Sequence, residues 1–345
     1  MYNGFFGLSR SPFAMTPDPR SLFLTDQHRE ALAGLSYAIV QQKGFAILEG
    51  QAGTGKTTLL RRLLEMLPQT EALVSFVVNP ILSAEELLEL LLIKFGVEDV
   101  PASKALRLTR LELLLLTAHK NGMVPVLIVD EAHKLNNDVL EEIRLLTNFE
   151  NNDYKLLQIV LTGQPELRDV LNRKDLWQLK QRIAVRLHID PLSPEQVKQY
   201  IQHRWTRADA ITAPPFADDA IQLIALHSQG IPRLINSICD NSLLAAYSEN
   251  SLAVTPQIVS EVVADLDLEV EPQAKLPSDR VLAIEKKALP VTASPLPAEP
   301  PRAETTDRQT PAETKAPLLG FWRTQKANQT PRTLKTWFIN RIYDL

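Results

Sequence analysis

The stretch Gly44-Phe45-Ala46-Ile47-Leu48-Glu49-Gly50-Gln51-Ala52-Gly53-Thr54-Gly55-Lys56-Thr57-Thr58 decides the fold of this 345-residue chain. Residues 45–48 are an apolar run that predicts a buried strand, and Leu59, Leu60, Leu63 and Leu64 beyond the loop fall at helical spacing. Between strand and helix, Gly50, Gly55, Lys56 and Thr57 satisfy G-x-x-x-x-G-K-[ST] in the strand–loop–helix setting that pattern requires. Glycines let backbone N–H groups curl around a polyphosphate without Cβ clashes, and the helix beyond aims its positive end at the anion. Gly50, Gln51, Ala52, Gly53, Thr54, Gly55, Lys56, Thr57 and Thr58 are therefore the predicted phosphate cradle. Lys56 is expected to reach the β- and γ-phosphates, and the Thr57 hydroxyl to ligate Mg²⁺.

Working outward, the length suits two folded units plus additional sequence, and 45% apolar residues support a sizeable core. A net charge of −4 gives no overall electrostatic footprint for nucleic acid, which leaves that partner possible but not favoured. The single cysteine, Cys239, excludes an intrachain disulfide and reads as a small core residue. The six histidines share no metal-ligand spacing, so no zinc site or metal cluster is expected. No apolar run reaches the ~18–20 residues of a membrane span, and the N-terminus lacks the pattern of a signal peptide. The expected location is cytoplasmic, with peripheral contact at the inner membrane as an option.

Residues 1–27, with Phe5, Phe6, Phe13 and three prolines, predict a segment lying extended across the surface. Strands are expected at 45–48, 72–78, 124–129, 156–161 and 183–189, alternating with helices over about 28–190. That alternation predicts an α/β fold whose parallel sheet is covered on both faces. After Asp190 the pattern turns all-helical through 268, with Ser193-Pro194-Glu195-Gln196 and Thr255-Pro256 as helix starts. Nine prolines, no glycine and no aromatic residue within 271–317 predict a disordered tether over 269–317. Residues 318–345 regain aromatics and carry five basic side chains against Asp344, a net +4; Leu334, Trp337, Phe338 and Ile342 share one face if helical. This end is read either as a docking or membrane-surface segment or as a tail with incidental aromatics.

Hydrolysis requires more than a cradle. Asp130-Glu131 closes the third predicted strand, where an aspartate can hold the water shell of Mg²⁺ and a glutamate can deprotonate the attacking water. The competing use of this pair is to cap the next helix. Gln164, after the fourth strand, is placed to bond the γ-phosphate or the water, with Thr162 as its rival. Arg182, preferred over Arg186 because the latter lies within a strand, is a candidate for reaching a neighbouring subunit's phosphate, with a surface ion pair as the ordinary alternative. Arg233, in Gly230-Ile231-Pro232-Arg233, sits on a rigid turn from which it can bridge the helical part to bound phosphates.

With these motifs, Leu161-Thr162-Gly163-Gln164-Pro165 and the opening residues Phe6-Gly7-Leu8, Pro12-Phe13 and Pro17-Asp18-Pro19 in view, the chain resembles the AAA+ ATPases of the general secretion pathway protein A (ExeA-like) type over about 1–268. That group includes pilus-biogenesis and exosortase-locus secretion ATPases. The resemblance implies a P-loop NTPase with strand order 5-1-4-3-2 and a helical lid at 191–268. It also implies Gln164 as sensor 1, Arg182 as the trans-acting arginine, Arg233 as sensor 2, and Phe13 and Pro17 as apolar contacts to adenine. The expected activity is ATP hydrolysis with Mg²⁺ by a homo-oligomer, ring or dimer-based, that assembles or remodels a secretion or envelope complex. Larger members similar to this chain continue into a membrane span and a peptidoglycan-binding domain, where this chain has the proline-rich stretch.

Overall fold

A computed structural model of the chain describes residues 1–16, 21–67, 71–78, 80–152 and 154–268. Pro17, the predicted tether at 269–317 and the basic aromatic end at 318–345 lie outside the described residues.

Five parallel strands, β1 (Phe45–Gly50), β2 (Ala72–Val77), β3 (Val124–Val129), β4 (Gln158–Gly163) and β5 (Val185–Ile189), are arranged β2-β3-β4-β1-β5. This is the predicted order 5-1-4-3-2 read from the other edge. Alternate residues of each central strand enter different cores. Ile47, Leu127, Val129, Ile159 and Leu161 face one side. Ala46, Leu48, Val126, Ile128 and Val160 face the other. Both faces are therefore apolar, which explains the unbroken hydrophobic runs of β1 and β3. The fourth strand sits two residues later than the sequence predicts. Leu156 is bonded instead to Phe149, while Thr162 and Gly163 pair with Leu48 and Glu49. The shift carries β4 forward to the loop end of the sheet.

One face is covered by α1 (Asp26–Val40) and α2 (Lys56–Met66), and the other by α3 (Ala84–Lys94), α4 (Lys104–Lys120), α5 (Asn137–Leu146), α6 (Glu166–Leu171) and α7 (Trp177–Lys180). α1 stops at Val40, and Gln42 and Gly44 just beyond it adopt φ of 50° and 87°. The Ser83–Glu86 capping box starts α3 as its sequence indicates.

The helical part contains α8 (Pro194–Arg207), α9 (Asp218–Ser228), α10 (Pro232–Ser248) and α11 (Pro256–Asp265). Ser193 and Gln196 form a reciprocal cap, and proline occupies the first turn of α8, α10 and α11, where its missing N–H has no helical partner to lose. Its core includes Trp205, Ile235 and Cys239, with four side chains from the chain's beginning: Tyr2, Phe6, Leu8 and Phe13. The expectation that residues 1–27 lie extended over the surface is thereby corrected for 1–16. The aromatics pack edge-on into the helices, Phe6 against Trp205 at 6.2 Å and Phe13 against Phe216 at 6.0 Å. Four short helices leave an apolar gap between them, and large aromatic side chains fill it at little entropic cost per area buried. No helix among the described residues is long and apolar enough to cross a membrane.

Candidate active site

The loop after β1 leads into α2 with Gly53 at φ 83° and Gly55 at φ 100°, both left-handed. Gly55 caps α2 without any side-chain bond, so the first N–H groups of the helix are directed into the cleft rather than consumed locally. Lys56 is buried beneath the loop, and its ammonium donates to the carbonyls of Gly50 and Gln51, each at 2.8 Å. Burial lowers its pKa, opposed by the carboxylates of Glu131, Asp130 and Glu166. An ammonium has three donors, so one remains for a phosphate oxygen.

Asp130 arrives from the end of β3 and is fully inside. Its Oδ2 accepts from the Thr57 hydroxyl at 2.6 Å. Its Oδ1 accepts from the Thr162 hydroxyl and from the Glu131 N–H, the latter at 3.0 Å. Thr57 and Asp130, 73 positions apart in sequence, thus present two adjacent oxygen donors at the foot of α2. An all-oxygen pair with one carboxylate fits Mg²⁺, which binds through one or two carboxylates and keeps waters and phosphate oxygens for the rest. Thr162 has no exposed surface and its hydroxyl is committed to Asp130, so it is Gln164 and not Thr162 that reaches the cleft.

Glu131 adopts φ 54°, a left-handed conformation that costs an ordinary side chain roughly 1–2 kcal/mol. The turn rotates its carboxylate away from Asp130 and toward the open side. There Oε2 lies 3.4 Å from Gln164 Nε2, 3.6 Å from His133 Nε2 and 3.7 Å from Lys134 Nζ. These are long contacts, leaving the carboxylate lone pairs accessible. Backbone strain of this kind concentrates at sites where a group must be aimed.

The helical part closes the cleft from above. The Arg233 amide donates to the Gly53 carbonyl at 3.3 Å, and a Cβ on Gly53 would lie 2.8 Å from Arg233 Cβ. Only glycine allows this approach. The cleft, about 620 Å³, is lined by residues 52–58, Glu131, Gln164 and Arg233. Gly50 and Gln51 contribute carbonyls to Lys56 and do not line it.

Phe13 and Arg182 lie outside this cleft, the first against expectation and the second as a residue expected to act on a neighbouring subunit. Phe13, expected as an adenine contact, has no exposed surface and packs on Phe216 in the helical core; its neighbours Ala14, Met15 and Thr16 line the cleft instead. An aromatic gains more by filling that core than by facing a polar cleft. Arg182 is not in the cleft of its own chain. It follows α7, and its guanidinium donates to the Thr147 hydroxyl at 2.5 Å, while Arg186 is exposed on β5. Sequence reading missed His28, Phe23, Tyr200, Arg204 and Asn236, which also line the cleft. They come from the stretch before α1, from α1, α8 and α10, and although Tyr200 and Arg204 share a face of α8, no motif marks the set. His28 is held between the Thr25 hydroxyl at 2.7 Å and the Thr54 carbonyl at 3.2 Å, and burial lowers its pKa. A neutral ring donating from Nε2 to Thr54 and accepting at Nδ1 satisfies both contacts.

Residues 39–171 match the family model of the AAA domain. Over 252 residues the chain is 43% identical to general secretion pathway protein A of Aeromonas hydrophila. The chain belongs to the AAA+ ATPases of that type. The alignment takes in 73% of this AAA+ chain but only 46% of the relative, so the chain spans about half that protein's length. Solved structures with the same AAA+ fold include Cdc6p from Pyrobaculum aerophilum (TM-score 0.59, 21% identity, 74% of this chain and 70% of that one). The ORC2 protein of Aeropyrum pernix in its ADP form is similar too (TM-score 0.58, 14% identity, 74% and 72% covered).

Proposed function

We propose that this chain binds ATP with Mg²⁺ in the cleft between the α/β and helical parts and hydrolyses it to drive assembly or remodelling of a secretion or envelope complex. The observation that carries the chemistry is the contact of Thr57 with Asp130 directly beside the Lys56 loop, with Glu131 turned outward next to Gln164. Lys56 and the first amides of α2 hold the phosphates and offset their charge. A magnesium ion held by Thr57 and Asp130 would neutralise charge on the β- and γ-phosphate oxygens when bound. Glu131 takes the proton of a water that attacks the γ-phosphorus; the new P–O bond replaces the bond to the β-phosphate oxygen, releasing ADP and phosphate. Gln164 orients that water, and Arg233 links phosphate occupancy to the helical part.

A secretion setting is supported by the Aeromonas relative, a general secretion pathway protein; type II secretion, pilus and exosortase-associated polysaccharide export are the candidate systems. In this reading the chain works on the cytoplasmic side, peripheral to the inner membrane, as a homo-oligomer with a membrane or secretion-system protein as partner. Arg182, outside its own cleft, serves a neighbouring subunit in this reading.

Steady-state turnover and nucleotide affinity test the assignment together. Lys56→Ala is expected to abolish ATP binding, whereas Glu131→Gln retains binding and loses turnover at least about a hundredfold, in line with removal of a general base. Normal hydrolysis by Glu131→Gln would remove Glu131 from the mechanism.

A further inference from the structure

The wall that α8 contributes to the cleft is built around an arginine with no assigned part. Arg204 on α8 is half-buried and directs all its described bonds toward other groups around that wall. Nε donates to the Pro12 carbonyl at 2.6 Å and Nη2 to the Ala14 carbonyl at 3.2 Å. Nη1 donates to the Tyr200 hydroxyl at 3.2 Å, and that hydroxyl donates onward to Asn236 Oδ1 at 2.8 Å. Asn236 lies on α10 three positions after Arg233. The Tyr200 ring lies 5.8 Å from the guanidinium and meets Phe23 edge-on at 5.8 Å.

The two gripped carbonyls bracket Phe13, whose side chain is sunk in the helical core. The main chain at 12–14 is therefore pinned from two directions, by its side chain below and by the guanidinium fork alongside. Ala14 lines the cleft beside Phe23, Tyr200, Arg204 and Asn236. With the phosphates at the Lys56 loop, this wall is a surface the same cleft offers to the nucleoside of a bound nucleotide. A planar fork with charge-assisted donors suits two main-chain carbonyls at once, and a lysine ammonium does not reproduce it.

We propose that Arg204 is a positioning residue for the nucleoside end of the cleft, holding the main chain at Pro12 and Ala14 against α8 so that base and ribose meet a preformed wall that moves with the helical part. This rests on the reading of the cleft as a nucleotide site. It implies that phosphates and nucleoside are held by physically separate devices, the loop at 50–57 and the Arg204 grip. Loss of the grip weakens every ligand that carries the nucleoside and spares one that has only phosphates.

The test is calorimetric affinity of the full chain, with magnesium present, for ATP, ADP and inorganic triphosphate. It compares wild type with Arg204→Ala, Arg204→Lys and Tyr200→Phe. Both arginine variants are expected to weaken ATP and ADP alike by about tenfold while triphosphate affinity stays within about twofold, with Tyr200→Phe shifted the same way but less. Amide exchange over residues 10–16 should speed up in Arg204→Lys. Should Arg204→Ala fail to fold, Arg204→Lys, which keeps the charge and the aliphatic stem, carries the measurement. Equal weakening of all three ligands would make Arg204 merely structural, and unchanged ATP and ADP affinity would remove it altogether. A wild type that binds none of the three sinks the nucleotide reading and the Arg204 role with it, whereas retained triphosphate binding isolates failure to Arg204.

Discussion

The amide of Arg233 is bonded to the carbonyl of Gly53 at 3.3 Å, which ties the first turn of α10 to the phosphate loop through the main chain. The helical part is thereby coupled to the loop at one of its two left-handed glycines, where φ is 83°. Anything that displaces α10 acts on the cradle, and the reverse holds as well.

Gly230, just before α10, keeps that turn in place. It sits at φ 71°, a Cβ there would lie 1.9 Å from the Leu192 carbonyl oxygen, and its own carbonyl accepts from the Leu192 N–H at 2.8 Å. Gly230→Ala combines left-handed strain with a backbone collision and is expected to cost more than about 2 kcal/mol. Chemical denaturation should show it, together with weaker nucleotide affinity; an unchanged unfolding midpoint would refute the account of this turn.

Phe13 belongs to the helical core. Phe13→Ala should destabilise by about 3–5 kcal/mol, the range for a buried aromatic truncated to a methyl. Phe13→Leu, which retains most of the apolar volume, should recover much of that loss and leave ATP affinity near wild type. A large affinity loss in a stably folded Phe13→Leu would return this side chain to the ligand surface.

Thr162 holds Asp130 from inside the sheet. Thr162→Val keeps the shape and removes the donor, so Asp130 loses one of its orienting partners. Partners of this kind typically contribute 10–100-fold to metal affinity. Magnesium titration of turnover should therefore shift to higher concentration by about tenfold or more.

His28 gives the cleft a pH signature. Its folded pKa lies below the ordinary 6.5, chiefly through burial, so in the window beneath 6.5 the unfolded chain takes up a proton that the folded chain refuses. Stability from this group is complete above 6.5 and is lost as pH falls toward the lower folded pKa. His203, also lowered by burial, acts in the same direction. Urea melts across about pH 5 to 7.5 should show stability rising with pH, with a shallower slope in His28→Gln. An identical slope would place His28 outside the titration.

The phosphate loop, the acidic pair after β3 and the proline-marked helix starts were legible because each is local. Glycine at fixed offsets, a carboxylate at a strand end and proline in a first turn state their conformational reason within a few residues. The two-faced burial of β1 and β3 was legible too, since a strand covered on both sides has no polar alternation to keep. Which apolar side chains fill which core was not. Phe13 reads as a surface aromatic because Pro12 and Pro17 flank it, yet only the packed helices reveal a gap of its size.

The sequence by itself determined a parallel α/β sheet with a phosphate-binding loop, a carboxylate pair and an all-helical second part, because backbone geometry and periodicity are set by near neighbours. Tertiary structure alone decided that Thr57 meets Asp130, that Thr162 is spent on holding it, and that Arg204 grips Pro12 and Ala14. Those contacts join residues 32 to 192 positions apart. No local preference encodes them; they exist because chain segments brought together by burying apolar surface must also satisfy the polar groups they carry inside.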